Sequence, residues 1–429
     1  MRALSFARRP VIGSVLATAV CAALALLIAV RPWSTPVGVA AGNAVGAAAG
    51  HAVGAAAGAA VAVAAASAAG PAVATGGGAS VAPRPAAPSR TLSPLQLAGQ
   101  RVIYSYRGLT PPARLVAAIR AGEAAGVIFF SDNISSRAQI RRVVARLQRD
   151  ARHSPVKLPL LMMTDQEGGA VRRLTGAPDR SERQIGDSPG AAGAAARAGR
   201  GAGLNLQGVG MNVNLAPVLD VYRNAGNFID QFGRSYSSDP NTVATLGAGF
   251  IRAQQATGVA TTAKHFPGLG AATASQDTDL SPVTLTVSLG ALRAIDELPY
   301  EGAITAGVRL VMVSWARYPA LDASLPAGLS PTIVQSELGG RLGFGGVTIT
   351  DAIRAGALRA YGSTAHRAVL AARAGVDLIL CASQFANQGS PNVGAAAVSA
   401  LAGALSDGQL ARAGFVAAVR RVMGLRRSP

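Results

Sequence analysis

The chain is poor in the side chains that most often announce a function. Of its 429 residues only 4% are aromatic, four are histidine and two are cysteine. So few aromatics leave little for the base-stacking platforms of single-stranded nucleic-acid binders. No zinc-finger, helix-turn-helix or RNA-binding signature is present, so the formal net charge of +19 does not read as nucleic-acid binding. The arginines are scattered through alanine-rich stretches and read as solvated helix faces. Attraction to an anionic wall or membrane surface is a secondary consequence. His51, His153, His265 and His366 are dispersed, and no His/Cys cluster has metal-ligand spacing. Neither metal catalysis nor a cofactor is therefore expected. With Cys21 in an N-terminal apolar run and Cys381 ending a later apolar stretch, no disulfide forms within one domain, and Cys381 reads as a buried thiol. No G-x-G-x-x-G follows the first strand, which removes a dinucleotide-binding fold.

What is present begins at the N-terminus. Arg2, Arg8 and Arg9 precede an apolar run over residues 11–30. A basic flank before such a run is the pattern of a secretory signal or signal anchor, and the length matches the ~20 residues of a membrane span. No small-x-small cleavage site follows directly, because Arg31-Pro32-Trp33 comes next. The positive flank stays cytoplasmic, so the rest of the chain is expected to be exported, either secreted or held on the extracytoplasmic side. Residues 36–91 are Ala/Gly/Pro-rich and of low complexity. Their small side chains bury little area, so they read as a disordered linker. The expected organisation is a signal segment over 1–35, a linker over 36–91 and one folded domain over 92–429.

Within that domain, β-like runs occupy residues 101–106, 126–131, 160–164, 212–219, 259–263, 310–314, 346–350 and 376–381. Alanine-rich helical stretches separate them, at 112–125, 136–151, 239–257, 289–306, 330–342 and 365–375. Short apolar strands alternating with helices predict a parallel sheet. Eight such repeats in this length predict an α/β fold, a (β/α)8 TIM-type barrel, with an open doubly wound sheet as the competing architecture.

In such a barrel the residues that follow each strand face the active site. The third strand gives Asp165-Gln166-Glu167-Gly168-Gly169, then Arg172 and Arg173. The fourth gives Asn214, Pro217 and Asp220, and its loop carries Arg234-Ser235-Tyr236. The fifth ends in Lys264-His265-Phe266-Pro267-Gly268, the sixth in Ser314-Trp315-Ala316-Arg317, the seventh in Thr350-Asp351. Vicinal hydroxyls of a polyol need carboxylates and cations as partners, and Asp165, Arg173, Arg234, Lys264 and His265 supply that set. A retaining glycosidase also needs a carboxylate below the anomeric carbon, and Asp351 is the candidate. Each residue has a plainer alternative. Asp351 also suits a helix N-cap, Asp165 and Glu167 suit salt bridges to Arg172 or Arg173, and Lys264 suits a surface charge. Trp315 suits either packing or stacking on a sugar face, and His366 suits a surface position.

The ordered set Asp165–Gly169, Asn214–Asp220, Arg234–Tyr236, Lys264–Gly268 and Thr350-Asp351 resembles glycoside hydrolase family 3, most of all its bacterial single-domain β-N-acetylhexosaminidases. The resemblance implies a barrel domain over 92–429 and a non-reducing sugar bound by Asp165, Arg173, Arg234, Lys264 and His265. It implies Asp351 as the nucleophile of a glycosyl-enzyme. The implied partner is an amino-sugar glycan, with no nucleic acid, a membrane contact only through the N-terminal segment, and a monomeric state. One feature departs from the pattern. The family's loop after the fifth strand carries an Asp-Ser-His run whose histidine is the general acid/base, whereas here residues 270–279 contain no histidine and Asp277-Thr278-Asp279 falls in its place. Ala170 also stands where the family often has arginine. Three readings stay open: Asp279 or Asp277 serves as the acid, the protein binds glycans with little or no hydrolysis, or it transfers the sugar to phosphate as a phosphorylase.

Overall fold

The computed structural model describes residues 92–382 and 389–429. The expected signal segment and linker lie outside the described residues. Among those described, no helix is long and apolar enough to cross a membrane.

Eight strands form one sheet: β1 (Val102–Tyr104), β2 (Gly126–Ile128), β3 (Leu161–Thr164), β4 (Val213–Asn214), β5 (Ala260–Phe266), β6 (Leu310–Val313), β7 (Val347–Thr350) and β8 (Ile379–Cys381). They lie side by side in the order β7-β6-β5-β4-β3-β2-β1-β8. Every pairing is parallel. The two outer strands also approach each other. The Thr350 N–H donates to the Leu378 carbonyl at 3.0 Å and the Leu378 N–H to the Thr348 carbonyl at 2.9 Å. The result is a nearly closed α/β barrel sheet of the TIM type. Ile103, Leu161, Met163, Val213, Leu310, Met312, Ile349 and Leu380 are buried together in one cluster. They make the barrel a filled core, so open space exists only at its rims.

All eight expected runs contain a strand, most of them shorter than the apolar run. The stretch 212–219 contributes only Val213–Asn214 because Pro217 has no N–H for the ladder. The chain nonetheless stays beside β5, where the Leu219 N–H donates to the Lys264 carbonyl at 2.7 Å and the Lys264 N–H to the Pro217 carbonyl at 3.2 Å. That path carries Asp220 to the site.

The helices start where side-chain caps allow. Ser136 caps Arg137–Arg152, Asp239 caps Pro240–Gln255 and Ser363 caps Thr364–Ala374, each accepting a first-turn N–H. The expected helix over 289–306 is broken: a π-turn at Leu292–Asp296 precedes Leu298–Thr305, which restarts with Pro299 in its first turn. The helix Ala191–Gln207 and two short hairpins, Gln166–Gly168 with Val171–Arg172 and Arg317–Tyr318 with Asp322–Pro326, were not expected. Glycines at 193, 199, 201 and 203 lower the helix propensity of the first. One of them explains itself in the packing. A Cβ on Gly199 would sit 2.3 Å from the Phe250 carbonyl oxygen, so only glycine lets this helix lie so close to Pro240–Gln255.

Candidate active site

Because all eight strands are parallel, their C-terminal ends share one rim, and the polar residues that end β3, β5 and β7 meet there. Lys264, at the end of β5, sits between two carboxylates. Its Nζ lies 2.9 Å from Asp165 Oδ1 and 2.7 Å from Glu167 Oε1. Arg234 closes on Glu167 as a fork, with Nε 2.8 Å from Oε2 and Nη2 3.0 Å from Oε1. Arg173 Nη2 lies 3.8 Å from Asp165 Oδ2. Burial alone would raise both carboxyls. For Asp165 the charges of Lys264 and Arg173 outweigh it, and for Glu167 those of Arg234 and Lys264 do, so both are held below the usual carboxylate range. Burial works against Lys264 and Arg234 as well, and the facing carboxylates hold both proton affinities above their ordinary values.

His265 is set by Asp220, which is fully buried. Asp220 Oδ2 lies 2.8 Å from His265 Nδ1, and Oδ1 accepts the Leu269 N–H at 2.6 Å and the His265 N–H at 3.3 Å. A carboxylate facing Nδ1 assigns the proton to that nitrogen. Nε2 is left toward Arg234 Nη2, 3.5 Å away.

The third part of the site contains only acids. Asp351 ends β7, and its Oδ1 accepts the Ala352 N–H at 2.7 Å. The loop after β5 brings Asp277 and Asp279 alongside. Asp279 donates its N–H to Asp277 Oδ1 at 2.8 Å. The loop is clasped to the chain just after Asp351: the Gly356 N–H donates to the Asp279 carbonyl at 2.7 Å and the Ala357 N–H to the Thr278 carbonyl at 2.9 Å. A Cβ on Gly356 would lie 2.1 Å from the Leu280 carbonyl oxygen, so the clasp requires glycine there. Burial, then the neighbouring charges of Asp351 and Asp277, raise the Asp279 carboxyl well above its ordinary value. No salt bridge among the described residues reaches any of these three acids.

Asp165, Glu167, Arg173, Arg234, Lys264, His265, Asp277 and Asp351 line one cavity of about 250 Å³, with Phe228, Phe232 and Ala352 among its other walls. Charged donors and acceptors converge on a space the scale of one sugar ring, with a cluster of acids at its side.

Residues 98–425 match the model of the glycosyl hydrolase family 3 N-terminal domain. The chain belongs to glycosyl hydrolase family 3. It is 45% identical to a secreted glycosyl hydrolase of Arthroderma benhamiae, over 79% of this chain and 95% of that one. Among solved structures it resembles a family 3 β-N-acetylglucosaminidase from Paenibacillus, with a TM-score of 0.73 and 33% identity over 79% of this chain. The chain spans 63% of the length of that protein. It also resembles a β-N-acetylhexosaminidase from Beutenbergia cavernae, with a TM-score of 0.69 and 31% identity over 78% of this chain and 99% of that one.

Of the residues singled out from the sequence of this family 3 glycosidase, seven share the cavity: Asp165, Arg173, Arg234, Lys264, His265, Asp277 and Asp351. Asp279 stands beside them without lining it. Lys264 is buried rather than on the surface, and the salt-bridge partners of Glu167 are Arg234 and Lys264 rather than Arg172 or Arg173. Asp351 does not cap the helix that follows, because Ser363 does. Trp315 is buried, donating its indole N–H to the Ala352 carbonyl at 3.0 Å, so it packs and does not face the cavity. His366 is exposed. Two residues of the enzyme were absent from the candidate set, Glu167 and Asp220. Glu167 was signalled only by standing two residues after Asp165 in the same Asp-Gln-Glu run at the exit of β3. Asp220 had only its place at the end of an apolar run.

Proposed function

We propose that this family 3 enzyme is a retaining β-N-acetylhexosaminidase that removes terminal β-linked N-acetylhexosamine from cell-wall-derived glycans. The observation that carries this reading is the shared cavity, which joins a hydroxyl-binding floor to Asp351 and an adjacent acid loop. Asp165, Arg173, Arg234, Lys264 and His265 bind the non-reducing sugar. Asp351 attacks the anomeric carbon, and the bond to the leaving oxygen breaks as the glycosyl-enzyme forms. Asp279, with Asp277 beside it, donates a proton to that oxygen. In the second step the same group takes a proton from water as it attacks, which frees Asp351. The raised proton affinity of Asp279 supports this role, since a carboxyl that holds its proton more strongly than usual is suited to act as an acid. The likeness to a β-N-acetylglucosaminidase and a β-N-acetylhexosaminidase supports an amino sugar over a plain glucoside. Residues 1–35 would direct export and 36–91 would tether the domain outside the cytoplasm.

The test is turnover of aryl β-N-acetylglucosaminide and aryl β-glucoside, each with and without phosphate. Release from the first, retention of β-configuration in the initial product and no phosphate dependence are expected. Preference for the glucoside would overturn the substrate, phosphate-dependent sugar phosphate would overturn hydrolysis, and binding without turnover would make the protein a glycan receptor.

A further inference from the structure

Aromatic side chains are scarce in this chain, and three phenylalanines, Phe130, Phe228 and Phe232, stand in the wall of the cavity. Phe228 and Phe232 lie on the loop between β4 and the helix Pro240–Gln255, with ring centroids 6.2 Å apart and planes at 84°. Phe228 is buried, whereas Phe232 is 51% exposed although it lines the cavity. An apolar ring half open to water at the edge of a polar pocket is available to a ligand surface that enters it.

The loop is held firmly. Asp230 Oδ1 pairs with Arg183 Nη1 at 2.5 Å, Oδ2 accepts the Gly226 N–H at 2.7 Å, and the Asp230 N–H donates to Asn227 Oδ1 at 3.0 Å. Several bonds stitch it to the loop that carries Asp277 and Asp279, among them one from the Asn227 side chain to the Gly270 carbonyl at 2.6 Å. The Gln231 side chain donates to the Ala274 carbonyl at 2.9 Å and the Phe228 N–H to the Ala272 carbonyl at 3.3 Å. Gly233, at φ 64°, turns the chain between Phe232 at the rim and Arg234 on the floor.

We propose that Phe232, backed by Phe228, is the platform on which the departing sugar ring stacks. The proposal rests on the hydrolase reading above. The floor that would hold the terminal sugar is nearly closed to solvent, with Lys264 and Glu167 at 2% and His265 at 5% exposure. The rest of the substrate must therefore lie toward the rim. The proton donor has to touch the oxygen that joins the two sugars, so the departing ring lies next to the donor's loop, and Phe232 is on the segment stitched to that loop. An aromatic face suits this partner. It covers the C–H face of a pyranose without demanding particular hydroxyls, so it accepts varied leaving sugars and releases them.

Phe232→Ala and Phe232→Trp would be assayed on a β-1,4-linked N-acetylglucosamine disaccharide and on the β-N-acetylglucosaminyl azide, whose leaving group is too small to reach the rim. The alanine variant should lose about fivefold to tenfold more kcat/KM on the disaccharide than on the azide, chiefly through KM, and tryptophan should restore it. Equal losses on both substrates, or a disaccharide rate that alanine leaves untouched, would overturn the platform. A wild-type protein that turns over neither substrate would sink the hydrolase reading instead. Calorimetry would then decide the platform: the disaccharide should bind more tightly than the monosaccharide in the wild type and not in Phe232→Ala, and equal affinities in the wild type would overturn it.

Discussion

Asp165 and Glu167 on the cavity floor, and Asp277, Asp279 and Asp351 at its side, are carboxylates in neighbouring parts of one rim. On the floor each acid faces a cation, and the charges of Lys264, Arg173 and Arg234 outweigh burial. In the acid cluster the neighbours are other acids, so burial and like charge add, and Asp279 is pushed up. Depth in the protein therefore does not decide the protonation of a carboxyl here; the sign of its neighbours does. The floor is built to stay charged, and in the cluster burial and like charge favour a proton on Asp279.

The largest effect should come from the residue proposed as nucleophile. Asp351→Ala should cut turnover on the order of 10⁴-fold or more while leaving the melting temperature near that of the wild type, and a fluorinated mechanism-based sugar should no longer label the protein. Labelling of another carboxylate would remove Asp351 from its role.

On the floor the same kind of change should strike stability. Glu167→Gln leaves Arg234 and Lys264 buried with one carboxylate fewer, and breaking a buried pair costs about 3–5 kcal/mol. Denaturant unfolding at pH near 7 would read this, and an unchanged midpoint would mean the floor is held by packing alone. Because the folded Glu167 has its proton affinity lowered, its contribution is present above the unfolded carboxyl's range and is lost as pH falls through and below it.

Asp279 should behave in the reverse sense. Asp279→Ala should slow a natural disaccharide by about 10²-fold, and slow an activated aryl glycoside far less, since only a poor leaving group needs the proton. Azide should restore the rate on the aryl substrate. Equal losses on the two substrates would assign the loop a structural role. Its raised proton affinity also gives a sign for stability. The folded state gains from a protonated Asp279 at low pH and loses that gain as pH rises through the raised value. Asp279→Asn should therefore melt higher than the wild type on the alkaline side and not on the acid side.

The smallest effect concerns Asp277. Its charge helps hold the proton on Asp279, so Asp277→Asn should move the alkaline limb of kcat/KM to lower pH. A limb that does not move would show that the titrating acid is a different group.

The barrel itself was legible, because each strand is an apolar run bounded by turns and the third to the seventh carry polar residues at their ends. The helix Ala191–Gln207 was not, since its glycines argue against a helix until the backbone of Phe250 is seen against Gly199. The identities of the floor residues were legible, but their pairings were not. Which carboxylate Lys264 meets depends on how β3 and β5 are placed around the barrel, and no local pattern encodes that. Asp220 was visible only as a strand-end acid, because its partner His265 lies 45 residues away. Phe232 carried no signal at all, as an isolated aromatic in a loop reads the same whether it faces solvent or a cavity.

The position of residue 279 is held by main-chain atoms, through the carbonyls of Thr278 and Asp279 and the amides of Gly356 and Ala357. Every amino acid carries those atoms, so the place of residue 279 does not depend on its side chain. The loop acts as an interchangeable cartridge. Replacing aspartate with histidine at 279 should change the pH at which the proton leaves while keeping the donor beside Asp351, so a lineage could exchange one acid for another here without rebuilding the barrel.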